Sequence, residues 1–147
     1  MRWSTNLDCE TDIMQKTIQL IEASDTSASA TDPSTLALAN DIDPRTVSLN
    51  GITRIDLRFP KFTDGRAYSQ AYLLRRRMGF TGELRATGDV LPDQLQLMQR
   101  SGFDTAVLCA GQDCAIAERQ LTHFERFYQG DAVHTTPLFK ATTGASA

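Results

Sequence analysis

The sequence predicts an α/β fold, with a parallel sheet of about four strands alternating with helices. Short apolar or alternating segments at residues 36–39, 54–59, 84–86 and 105–108 are separated by stretches with helical periodicity. A Gly-Phe pair precedes two of these segments, at a spacing of about one strand plus one helix. Such alternation is typical of parallel sheets with right-handed crossovers. The sheet is either open or resembles half of a (β/α) barrel, whose open edges would suit a homodimer.

Length and composition limit the class of protein. The chain has 147 residues and a net charge of −3, which suits one domain and disfavours a nonspecific nucleic-acid binder. Apolar runs fall short of the roughly 18–20 residues that span a bilayer, and the N-terminus lacks the pattern of a signal peptide. We therefore expect a cytoplasmic bacterial-type protein with neither a membrane nor a nucleic acid as its partner.

The two ends of the chain give weak structural signals. Residues 1–32 lack a clear period, and residues 23–32 have the small, polar composition of a linker. Residues 131–147 also lack periodicity. The sequence thus predicts a partly disordered N-terminal appendage over residues 1–32, an α/β domain over 33–130 and a flexible tail over 131–147.

The first two strands are separated by a short irregular crossover. Residues 36–39 are apolar, and Asp43 followed by Pro44 predicts the capped start of a short helix over 45–50. Residues 54–59 alternate apolar and charged side chains, which is the pattern of a half-buried strand. The helix after this strand is expected to begin at a cap formed by Thr63 or Asp64.

The later helices follow the same logic. Gly79 ends the helix that follows the second strand, and Arg75 to Arg77 precede it as a solvated helix end or, alternatively, a phosphate patch. The next helix begins near Pro92, and a final helix presents Cys114, Ala117, Leu121, Phe124 and Tyr128 on one face. The predicted core residues are Leu57, Leu74, Leu84, Leu95, Met98, Val107 and Leu121.

Cysteine usage argues against a disulfide framework. The three cysteines, Cys9, Cys109 and Cys114, are an odd number, and the C-x4-C spacing of the last two is looser than a zinc knuckle. Both fit structural positions at a strand end and on a helix. The alternative is a redox or sulfur-handling thiol, which would need a positive neighbour to lower its pKa.

A candidate site lies where the second and third strands end. Ligands of parallel α/β folds bind at the carboxyl ends of the strands. Several charged residues and one glycine lie near these strand ends. They predict an anion- or partner-binding site formed by Lys61, Asp64, Gly65, Arg66, Arg85 and Asp89. In the alternative interpretation, the aspartates are helix caps and the arginines form buried ion pairs with them.

Recognisable catalytic and cofactor motifs are missing from the sequence. It contains no G-x-S-x-G, Walker A, dinucleotide-binding or metal-ligating pattern. We therefore expect no cofactor and no metal, and the sequence leaves open whether the chain is an enzyme.

Five segments of the sequence stand out, namely FPKFTDGRAYS at residues 59–69, LLR at 73–75, GELRATGDVL at 82–91, DQ at 93–94 and GFD at 102–104. Together they closely resemble a bacterial family called domain of unknown function 934. The resemblance covers residues 36–128. Residues up to 32 depart from the family pattern, and Pro92 stands where family members usually carry a basic residue.

The resemblance implies a pathway rather than a reaction. Members are commonly labelled as oxidoreductases of sulfite reduction, because their genes lie beside those for sulfite reductase and sulfate assimilation. It implies an accessory protein that binds sulfite reductase, another sulfate-assimilation protein or a sulfur oxyanion. The family supplies no catalytic residues to carry over. The alternatives are a small enzyme acting on a phosphate- or sulfate-bearing substrate, and a noncatalytic anion or nucleotide sensor.

Overall fold

The computed structural model describes residues 17–28 and 32–141, which form a parallel five-stranded sheet with helices. The order across the sheet is β1-β5-β4-β3-β2, and all neighbouring strands are parallel. The strands are β1 (Gln19–Ile21), β2 (Thr35–Leu38), β3 (Arg54–Phe59), β4 (Glu83–Gly88) and β5 (Thr105–Val107). The α/β class with an open parallel sheet is therefore confirmed.

Four α-helices and four short helical turns accompany the described part of the sheet. Asp43 caps the 3-10 turn before β3, since its side chain accepts a hydrogen bond from the Arg45 amide at 2.9 Å. The helices are α1 (Arg66–Tyr72), α2 (Leu95–Ser101), α3 (Cys114–Leu121) and α4 (Leu138–Ala141). The turns are Ala23–Ala28, Pro44–Thr46 and Pro92–Gln94, which are 3-10, and the π-helical Leu73–Arg77, which extends α1.

The apolar core lies on one face of the sheet. In the register of the strands, Ile55 pairs with Leu84, and Leu57 pairs with Ala86, which in turn pairs with Ala106. These residues therefore point to the same side, and α1, α2 and α3 pack against them through the buried residues Ala67, Ala71, Leu74, Leu95, Met98 and Ala117. Of the predicted core residues, six are buried, while Leu121 is only partly buried.

The opposite face of the sheet carries a layer of charged side chains. Arg85 Nε lies 3.9 Å from Asp56 Oδ1 and 3.8 Å from Glu83 Oε1, and Arg54 Nε lies 3.3 Å from Asp56 Oδ1. The Thr105 hydroxyl donates to Glu83 Oε1 at 2.7 Å. Burial raises the pKa of Asp56 above its ordinary value, although both arginines act against this shift. Arg85 thus belongs to an ionic layer across the middle of the sheet.

Two described segments outside the predicted α/β domain of residues 33–130 contact it. Gln19–Ile21 pairs along β5, so the sheet includes a strand from the segment predicted to be an appendage. At the other end, the Ala132 amide donates to the Arg100 carbonyl at 3.0 Å, and α4 lies within the predicted tail. Three-residue strands and irregular segments carry too little periodicity to be recognised from sequence. The predictions of disorder for residues 1–16, 29–31 and 142–147 lie outside the described residues.

Two helix predictions are corrected. The final helix ends at Leu121, so Phe124 and Tyr128 are not on its buried face and are 57% and 70% exposed. Arg76 and Arg77 are exposed in the last turn, which agrees with the predicted solvated helix end, but the side chain of Arg75 is only 15% exposed. It is Arg75 that departs from the prediction. Its guanidinium donates to the carbonyls of Phe80 and Gly82 at 2.7 Å each, and it pairs with Asp104. The arginine therefore fastens the end of the α1 extension to the amino edge of the sheet.

Within residues 17–28 and 32–141, no helix combines the length and the apolar character needed to cross a membrane.

Candidate functional site

The loops after β3 and β4 lie side by side at the carboxyl edge of the sheet. Phe59 pairs with Gly88, and the Asp89 amide donates to the Phe59 carbonyl at 2.8 Å. Gly88 has φ +92°, and a Cβ at this position would lie 2.3 Å from the Phe59 carbonyl oxygen. Only glycine therefore allows the two strand ends to approach so closely, and this approach brings Asp89 next to the loop that follows β3.

Asp89 fixes the main chain of Phe62 in the loop of residues 61–66, which we call the 61–66 loop. The Phe62 amide donates to Asp89 Oδ2 at 2.8 Å, and the Gln94 side-chain amide donates to the Phe62 carbonyl at 2.8 Å. Both polar main-chain groups of Phe62 thus bind side chains from the segment after β4. Asp89 therefore acts across the sheet edge and does not cap the helix that follows it, whose 3-10 start is preceded by Leu91.

Asp64 is similarly engaged in holding the loop. Its Oδ2 accepts a hydrogen bond from the Asn40 side-chain amide at 2.6 Å, and its Oδ1 accepts the Arg66 amide at 3.2 Å. The residue at the N-cap position is Gly65, which has no side chain to cap the helix. The two aspartates of the predicted site thus serve as hydrogen-bond acceptors that define the loop, which disfavours their use as a general acid and base.

The cations and the aromatic ring of the 61–66 loop face solvent. Lys61 is exposed, the Arg66 side chain is 66% exposed, and Phe62 is 53% exposed. Arg66 Nε lies 3.7 Å from Asp64 Oδ1, and an exposed ion pair of this kind contributes little to stability. The loop therefore presents two cations and an aromatic side chain on a fixed backbone.

Arg85 does not join the other predicted site residues. It is three positions before the end of β4 and points into the charged layer, where Asp56 and Glu83 surround it. Lys61, Asp64, Gly65, Arg66 and Asp89 do come together at the carboxyl edge. Sequence reasoning did not identify three residues that complete this arrangement, namely Asn40, Phe62 and Gln94. Two of these residues had a signal in the sequence. Asn40 lies shortly after a strand, and Phe62 is next to Lys61 in the same loop.

The comparison with protein families supplies the classification. A family model described as "Bacterial protein of unknown function (DUF934)" matches residues 35–139, which is well over half of the chain. The chain belongs to the DUF934 family. The matched DUF934 region includes β2 to β5, α1 to α3 and the whole carboxyl edge described above. Comparison with curated proteins and with solved structures found no match.

The two described cysteines of the DUF934 chain are in acidic surroundings. Cys109 Sγ lies 3.3 Å from the Gly88 carbonyl and 3.5 Å from Asp89 Oδ1, and Cys114 Sγ lies 3.7 Å from Glu22 Oε1. Partial burial raises the pKa of both thiols, and the neighbouring carboxylates raise it further. A reactive thiol needs the opposite environment, so the structural interpretation is favoured. The described residues also contain no group of three side chains able to hold a metal ion.

Tyr68, in the first turn of α1, packs beside the 61–66 loop. Its ring packs at 5.0 Å from the Phe59 ring, with the planes inclined by 64°. Burial raises the pKa of Tyr68 to about 12, and the Asp93 carboxylate contributes to the shift. The phenol therefore stays protonated at neutral pH. In this DUF934 chain the groups nearest the 61–66 loop are thus suited to binding and poorly suited to proton transfer.

Proposed function

We propose that the chain is a noncatalytic accessory protein of assimilatory sulfite or sulfate reduction in the cytoplasm, and that it acts by docking the 61–66 loop on an acidic surface of a protein partner. Sulfite reductase is the first partner to test, since the family resemblance implies this pathway. The exposed side chain of Phe62 on a fixed backbone is the main support for the docking role. Phe62 has a side chain that is 53% exposed, while both its amide and its carbonyl are hydrogen-bonded.

An exposed aromatic ring between cations is a typical binding hot spot. Aromatic residues and arginine are enriched among the residues that dominate binding energy, and lysine and arginine steer an acidic partner into place. Lys61 adjoins Phe62 in sequence, and Arg66 is four positions further on the same loop. Because the loop backbone is already fixed, docking would not require its ordering, which is one of the main costs of association.

The same contacts favour docking over catalysis or over a small-anion site. Asp64 and Asp89 each hold backbone or amide groups and so are engaged in loop structure. Arg85, which would have been a third cation for an oxyanion, lies in the ionic layer of the sheet. A small anion at this loop would meet two solvent-exposed cations, whose attraction is strongly screened by salt. A protein surface can engage the ring and both cations together.

The proposal is tested by measuring binding of the full chain to sulfite reductase from the same organism. We expect Phe62→Ala to weaken binding by at least roughly 30-fold, since truncating a hot-spot residue costs about 2 kcal/mol or more. Arg66→Ala should weaken binding and reduce its dependence on salt. Tyr128→Ala removes an exposed aromatic residue outside the loop, so it is the matched control and should bind as the wild type does.

Unchanged capture by Phe62→Ala and Arg66→Ala would contradict the docking role of the loop. Calorimetric titration with sulfite, sulfate and adenosine phosphosulfate tests the small-anion alternative. Binding of any of these at millimolar concentration or below, together with its loss in Arg66→Ala, would replace protein docking by anion binding at the same loop.

A further inference from the structure

A concave feature lies at the edge of the sheet opposite the 61–66 loop and is independent of the proposed docking role. It is a cavity of about 330 Å³ at the amino ends of β4 and β5, lined among others by Thr81, Gly102 and Asp104. Its outer wall comes from the segment of residues 127–134, which we call the strap. The volume is at the lower end of the range of small-molecule sites in proteins.

The strap is held in place by a dense set of hydrogen bonds. Asp131 Oδ1 accepts the amides of Val133 at 2.9 Å and of His134 at 2.6 Å, and Asp131 Oδ2 lies 3.2 Å from Arg100 Nε. The Arg100 guanidinium also donates to the Gln129 carbonyl at 2.9 Å. These contacts build the outer wall from the end of α2, so the cavity is a formed feature of the fold.

The charges around the cavity are balanced within the protein. Arg75 pairs with Asp104, and Arg100 pairs with Asp131, so two cations face two anions. Each guanidinium carbon also lies over an aromatic ring, at 5.8 Å from the centroid of Phe80 for Arg75 and at 4.1 Å from that of Phe127 for Arg100. A charged ligand would gain little from this balanced wall and would lose its hydration.

The remaining wall is aromatic and apolar, with polar groups where it opens to solvent. Phe80 and Phe127 contribute rings, and Val133 contributes an aliphatic side chain. Thr81 and Val133 are exposed and the His134 side chain is 37% exposed, so these residues mark the opening. The Thr81 hydroxyl and the His134 imidazole can hydrogen-bond to a ring nitrogen of a bound molecule, or to the hydrogen on that nitrogen.

We infer that this cavity binds a planar, uncharged heteroaromatic ring. Aromatic and guanidinium faces stack on flat π systems, the balanced charges disfavour ions, and the Thr81 and His134 side chains recognise a polar ring edge. A ring of one or two fused cycles fits the volume. This is a ligand site that the docking role of the 61–66 loop does not require.

The test uses three probes of known chemistry with the full chain, measured by saturation-transfer NMR and calorimetry. Indole is planar and uncharged, cyclohexanol is uncharged but not planar, and benzoate is planar but charged. We expect indole to bind with millimolar affinity or tighter, and the other two to bind at least about tenfold more weakly. Absence of indole binding up to its solubility limit, or equal binding of cyclohexanol or benzoate, would overturn the inference.

Filled-cavity variants test the location. Val133→Trp places a large ring in the cavity and should weaken indole binding at least about tenfold. Thr81→Trp adds the same side chain at another residue of the opening, and the two variants are compared once circular dichroism shows a native fold. Ile116→Trp, which adds the same side chain at an exposed position of α3, is the matched control. Unchanged indole affinity in a folded filled-cavity variant would refute the site, whereas Phe62→Ala should leave indole binding intact.

Discussion

Replacing Gly88 with alanine should be among the most disruptive single-methyl changes in this chain. The added Cβ would lie 2.3 Å from the Phe59 carbonyl oxygen and 3.1 Å from its carbonyl carbon, and both are backbone atoms of a neighbouring strand. A methyl group forced into a packed position costs about 1–3 kcal/mol. The left-handed φ of +92° adds about 1–2 kcal/mol for a residue with a side chain. We therefore expect a loss of about 2–4 kcal/mol, after allowing for the smaller entropy of the unfolded variant.

Gly111→Ala separates the two contributions. This glycine has a similar φ of +83°, but nothing lies within 4 Å of the position that its Cβ would occupy. It should therefore lose only the conformational part, about 1 kcal/mol. Urea unfolding of both variants, with the slope of the transition checked for equality, gives the difference. Equal losses in the two variants would show that the strand ends can separate at no cost, and that close approach does not position Asp89.

Three further predictions follow from burial and charge. Leu95→Ala should lower the free energy of unfolding by about 2–5 kcal/mol in denaturant unfolding, because the Leu95 side chain is fully buried. Leu97 is 52% exposed on the same helix, so Leu97→Ala should cost under about 1 kcal/mol. Similar losses in the two variants would refute the helix phase. Asp104→Ala should cost about 3–5 kcal/mol in the same assay because it leaves the Arg75 side chain, which is only 15% exposed, without its carboxylate. A near-neutral effect would contradict this. In a variant that lacks the other two cysteines, Cys109 should be alkylated more slowly than a free thiol at neutral pH, because its raised pKa reduces the thiolate fraction. The alkylation rate should increase as the pH rises. A rate equal to that of glutathione at neutral pH would exclude the raised pKa.

Local patterns in the sequence were sufficient to predict the middle of the sheet. The alternation of residues 54–59 placed β3 at its observed bounds, and the apolar stripe of the following helices identified Leu74, Leu95 and Met98 as core. These signals work because burial on one face repeats at the period of the element itself. β1 is too short for any such repeat, and its position depends on pairing with β5, which lies far along the chain.

The candidate site was predictable in part for the same reason. Residues of one loop, such as Lys61 and Arg66, necessarily lie close together, and adjacent parallel strands brought Asp89 beside them. The direction of Arg85 was harder to predict, because a strand residue faces one layer or the other according to the sheet that surrounds it. The partly buried charges of Asp56 and Glu83 lie within ion-pair distance of this arginine on the face opposite the core, and no local signal in the sequence distinguishes that arrangement from an exposed anion site.

The order of the strands also affects how the chain can assemble during synthesis. β2, β3, β4 and β5 can pair one after another as they leave the ribosome, but β1 is made first and has no place until β5 exists. Until β5 is made, β4 presents an unpaired edge, and β1 must stay available across the whole intervening chain. Loss of β1 through an alternative start site would therefore leave a sheet whose buried strand becomes an open edge. Such a product would be prone to strand-to-strand aggregation even though the 61–66 loop and the cavity at the amino edge would have all of their own residues.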